Sequence, residues 1–176
     1  MRANAIASAL AGVAQPRPED GLTPAESQSI ARARAVDANV DAASWQDWFE
    51  ALFILSKTML TNGSAGAIDR FVHSSTVHSV LPRAPAIVRD KVDFLLAIGA
   101  RNIERIERSG ALLLDGPMRE SDPAFHAYTL VSTITACLAR PVDSSCAQVV
   151  ALLDRVQSKS AVFDLLRAHR RAASIR

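Results

Sequence analysis

Three helix starts in this chain are written in nearly the same letters, and they limit what it can fold into more than any other feature. Thr23-Pro24-Ala25-Glu26 places a hydroxyl cap, a proline in the first turn and a glutamate three residues after the cap. The Thr23 hydroxyl can accept from the N–H of Glu26 while the Glu26 carboxylate reaches back, and Pro24 gives up only an N–H that has no intrahelical partner. Ser121-Asp122-Pro123-Ala124 repeats the pattern with Asp122 as cap, and Pro85-Ala86 opens a third helix. Ser44 before Trp45, with Asp47 three residues on, is a fourth start of the same chemistry. Asn62-Gly63 and Gly110 read as stops, because Asn and Gly tolerate the left-handed conformation that closes a helix.

Joined to apolar spacings of three and four, these marks predict helices at about 24–39, 45–61, 65–73, 85–109, 123–139, 144–157 and 160–172. In the helix from Pro85, Val88, Val92, Leu95, Leu96, Gly99, Ile103 and Ile106 form one stripe, with Arg89, Asp93, Arg101, Glu104, Arg105 and Arg108 off it. Glu104 and Arg108 are placed for an ion pair one turn apart. The helix from Trp45 is apolar on more than one side, so a central position is expected for it, with Trp48 in the core. Ala111-Leu112-Leu113-Leu114, between Gly110 and Gly116, is too short to read as a strand. The fold class expected is all-α: a single bundle of five to seven helices. At 176 residues with 49% apolar content, such a domain needs no disulfide or metal to be stable.

The first 22 residues read differently. Gln15 to Leu22 hold two prolines, a glycine and three charges, a composition that breaks regular structure. Residues 1–22 are therefore expected to be a flexible leader and residues 23–176 the helical domain. Deleting residues 1–20 should then leave the melting temperature nearly unchanged. The stretch from Ala5 to Ala14 is only weakly like a secretory signal, being built on Ala rather than Leu. Cytoplasmic localisation is expected, with secretion as the alternative. No segment reaches the roughly 18 apolar residues of a membrane span.

The chemistry-bearing residues are few and scattered. His73, His78, His126 and His169 include no pair at i, i+4, and Cys137 and Cys146 form no CxxC pair, so no metal site is expected. Neither a GxSxG elbow nor a phosphate-cradling glycine loop occurs. No catalytic residue and no cofactor can be assigned, and an enzyme reading would rest on no recognisable motif. Net charge is only +2, but the last ten residues hold Arg167, Arg170, Arg171 and Arg176 with no acid among them. With Arg101, Arg105 and Arg108, the cations at 167, 170 and 171 are the candidate partner-binding residues.

Residues 67–81, Ala67-Ile68-Asp69-Arg70-Phe71-Val72-His73-Ser74-Ser75-Thr76-Val77-His78-Ser79-Val80-Leu81, have the skeleton of a helix-turn-helix. Over these residues alone the chain resembles the DNA-reading segment of bacterial repressors of the lactose-repressor type. The resemblance implies a second helix in the major groove, with Ser74, Ser75, Thr76 and His78 meeting base edges. Phe71 departs from the glycine usual at the turn, Pro82 shortens the second helix, and the polar residues offered, His73, Ser74 and His78, include no Arg or Lys for phosphates.

The preferred expectation is a helical protein-interaction or adaptor module, binding another protein or itself. An acid-poor leader before a helical bundle is also a composition common among proteins handled by bacterial secretion machinery, so an association with a secretion or regulatory system is expected with it. A small DNA-binding transcription regulator using residues 67–81 is the alternative, and nucleic acid is the less favoured partner.

Overall fold

Helices begin at Pro24, Ala86 and Pro123, where the capping chemistry places them. A computed structural model describes residues 2–35, 42–62, 70–71, 73–115 and 118–138. Every regular element among the described residues is helical. They are α1 (Arg2–Leu10), α2 (Pro24–Ala35), α3 (Ala42–Asn62), α4 (Ser75–Val80), α5 (Ala86–Gly99), α6 (Ile103–Leu114), α7 (Met118–Ser121) and α8 (Pro123–Leu138), with 3-10 turns at Pro18–Asp20 and Leu81–Arg83. The chain is all-α, as its sequence predicts. The helices expected at 144–157 and 160–172, and most of that at 65–73, lie outside the described residues. The chain divides into two compact units, Met1–Arg101 and Asn102–Arg176.

In the first unit α3 is the central helix, packed against α1, α2 and α5. Trp48, Phe49, Leu52 and Leu55 are completely buried, which is why this helix is apolar on more than one side. Trp45 meets Trp48 edge to face with ring centroids 5.7 Å apart, and Phe49 stacks on Phe53 at 6.1 Å. The Lys91 ammonium, from α5, lies 4.7 Å over the Phe49 ring, so a buried cation meets the negative face of an aromatic core. The helix begins at Ala42, before the expected cap at Ser44.

The stretch expected as a flexible leader, residues 1–22, contains a helix. Residues 2–10 form α1, and Ile6, Ala7, Ala9 and Leu10 have no exposed surface. The weak hydrophobicity of this stretch misleads because alanine is the residue needed here: small side chains let one helix lie close against others. Only Ala11–Thr23, with left-handed Gly12 and Gly21, keeps the irregular character read from its prolines.

The long helix expected from Pro85 to Ser109 is two helices. α5 ends at Gly99, Arg101 takes a left-handed φ of 52°, and Asn102 caps α6 by accepting from the N–H of Arg105 at 3.0 Å. The left-handed residue costs about 1–2 kcal/mol, and the cap returns about 1 kcal/mol. The apolar stripe is continuous through the break, so periodicity alone does not reveal it.

In the second unit α6 packs along α8, with α7 against both. Asp122 caps α8 as expected, accepting from the N–H of Phe125 at 3.1 Å. Gly110 is not a helix stop but sits inside α6, where a Cβ would overlap the side chain of Thr133. The glycine is there for close approach of two helices rather than for backbone freedom. Ile106, Leu113, Met118, Phe125, Leu130 and Ile134 fill the core of this unit.

Candidate functional site

The most elaborated polar site in the first unit is built on Glu26. Its capping box closes as the sequence predicts: the Thr23 N–H donates to the carboxylate at 2.8 Å, and the Glu26 N–H donates to the Thr23 hydroxyl at 3.2 Å. The same carboxylate then does what no local pattern announces. Arg2 from α1 donates to it through Nε at 2.9 Å and Nη2 at 2.8 Å, and the Thr58 hydroxyl from α3 donates at 2.6 Å. One side chain, only 2% exposed, thus ties three helices together. Burial pushes the Glu26 carboxyl up. The donors outweigh it, Thr58 and the Thr23 N–H foremost and then Arg2 and the Thr23 hydroxyl, and hold the group down at about 2. A carboxylate fully occupied in this way is an anchor and not an acid or base for chemistry. Arg2 and Thr58 are the residues the sequence reading missed. Their one signal was a lone arginine opening an otherwise apolar stretch.

The candidate partner-binding arginines fare unequally. Arg101 is exposed at its left-handed position. Arg105 and Arg108 are exposed on α6, and Arg108 donates to Glu104 at 3.0 Å, the ion pair expected one turn apart. One turn beyond Arg108, on the same face, Leu112 is 64% exposed. α8 carries no charged residue in its whole length, and its outward positions Ala124, Ala127, Val131 and Thr135 form an uncharged stripe. Arg167, Arg170 and Arg171 lie outside the described residues.

Among the described residues of the helix-turn-helix reading, Ser74 is turned inward and His78 is exposed. Ser74 is 1% exposed, and its hydroxyl accepts from the N–H of Val77 at 3.3 Å, capping α4. A cap turned into the protein cannot meet a base edge. Ser75 and Thr76 open α4, which runs only to Val80 before the turn containing Pro82, and His78 is exposed near its end. Phe71, at the turn position where the resembled segment usually has a glycine, is buried.

Among the described residues no group of three or more His, Cys, Asp or Glu side chains could hold a metal ion. None of the described helices is long and apolar enough to cross a membrane. No protein-family model, curated protein or solved structure matches this chain.

Proposed function

We infer that this protein is a helical protein-binding module whose docking surface is the outward face of α6. The observation that carries the reading is the placement of Arg105, Arg108 and exposed Leu112 at spacings of three and four along that face. Arginine is enriched at the energetic centres of protein interfaces, and a large apolar side chain left in water beside it supplies area to bury. The uncharged outward stripe of α8 belongs to the same unit. Cations beside an apolar side chain suit a partner that offers carboxylates around an apolar depression, and the arginines of residues 167–176 add positive charge of the same sign. Cytoplasmic localisation goes with this reading.

The test compares the full chain with Leu112→Asp and with a variant carrying Arg105→Glu and Arg108→Glu, each captured from lysate with its bound proteins identified. These positions are exposed, so the melting temperature should stay within about 2 °C of the parent. One protein, retained by the parent and weakened at least tenfold in both variants, is the expected result. Equal retention by all three sinks the reading. Duplex DNA should bind only weakly and lose affinity between about 50 and 200 mM salt. Sequence-selective binding that persists at the upper end would revive the regulator alternative.

A further inference from the structure

Two residues make the break between α5 and α6. Ala100 is still right-handed, Arg101 is left-handed at φ 52°, Asn102 is extended at φ −85° and ψ 92°, and Ile103 is helical again. No side chain in the segment anchors them, since none from Ile98 to Arg105 is buried. The break also has a local cost. A left-handed arginine is strained, and the first N–H groups of α6 have no partner inside that helix. In an unbroken helix the N–H groups of Asn102, Ile103 and Glu104 would donate to the carbonyls of Ile98, Gly99 and Ala100. Against this stands the cap, in which the Arg105 N–H donates to the Asn102 side chain at 3.0 Å. Two backbone states close in free energy, with no buried side chain within the segment, are the ingredients of a switch.

Fusing the helices would also extend the docking surface. Arg101, Arg105, Arg108 and Leu112 follow one another at spacings of four, three and four, which on one continuous helix is a single face. While Arg101 is left-handed, it stands outside the helix that carries the other three. We propose that Arg101 and Asn102 form a conformational switch, in which α5 and α6 fuse into one helix and Arg101 comes into line with Arg105, Arg108 and Leu112. A partner whose carboxylates reach all three guanidinium groups binds the fused state more tightly and draws the chain into it. That coupling rests on the docking reading above. The switch itself does not, because it is a property of the backbone at residues 100–103.

Backbone NMR of the full chain tests the switch with no partner present. Relaxation dispersion on the microsecond-to-millisecond timescale should appear at Ala100–Ile103 and be absent from the buried turns of α5. Asn102→Ala removes the cap, so the ratio of fused to broken state, read from the Cα shifts of these residues, should rise about fivefold. Arg101→Gly is at ease in the left-handed region and is a poor helix former. It should lower the ratio about 5- to 30-fold and quench the dispersion. If Asn102→Ala does not fold, the intact chain compared with Arg101→Gly decides. Flat dispersion at residues 100–103 of the intact chain, or dispersion that Arg101→Gly leaves unchanged, overturns the proposal. Cα shifts that do not move towards helix in a folded Asn102→Ala overturn it as well. A chain that fuses its helices but fails the capture test above keeps the switch and loses the docking reading.

Discussion

A carboxylate costs several kcal/mol to bury unless its charge and both oxygens are met, and Glu26 is buried with both met. Glu26→Gln keeps the shape but loses the charge that Arg2 seeks, and should cost about 2–3 kcal/mol in denaturant unfolding. The native carboxyl, at about 2, lies below its ordinary value of 4.5. Its stabilisation is thus complete above pH 4.5 and is lost as pH falls towards 2. Parent and Glu26→Gln should converge in stability over that window, and a difference that persists unchanged at pH 2 would show that the carboxylate is not the anchor described. Gly110 is the second residue on which packing turns. Gly110→Ala gains helix propensity, but its Cβ meets the fully buried side chain of Thr133. A net loss of about 1–2 kcal/mol is expected, since overpacking outweighs the propensity gain. Thr133→Ala in the same chain should recover part of it. No loss in the single variant would mean the helices part easily there.

Among the elements, α1 departs furthest from what its composition suggests. Removing residues 2–14 uncovers apolar surface on α2 and α3 and leaves the Glu26 carboxylate without its cation. The melting temperature should fall by at least several degrees, since each kcal/mol is worth about 4 °C or more in a unit of this size. An unchanged melting curve would show that α1 does not hold α2 and α3 together. The pair α5 and α6 shows a different limit. A run of apolar residues at three- and four-residue spacing is satisfied equally by one long helix or by two that share a stripe. Asn102 decides between them by taking the Arg105 N–H for itself.

For the whole molecule, the legible part was the local part. The all-α class, the starts at Pro24, Ala86 and Pro123, the caps at Thr23 and Asp122, the Glu104–Arg108 pair and the central place of α3 all follow from interactions within a few residues or from periodicity along one helix. Such interactions are written in adjacent letters and can be read there. What the tertiary structure alone decided spans long stretches of chain. Arg2 finds Glu26 across 24 residues and Thr58 finds it across 32. Gly110 is shaped by Thr133 on another helix. Ser74, polar and apparently on offer to a ligand, is closed off by the turn it caps. The division into two units follows the same logic, because a helix ends beside left-handed Arg101 while the sequence carries its apolar stripe on without interruption. A sequence states which side chains are apolar or charged. Which of them meet is set by packing, whose free energy belongs to pairs of surfaces and not to any single segment.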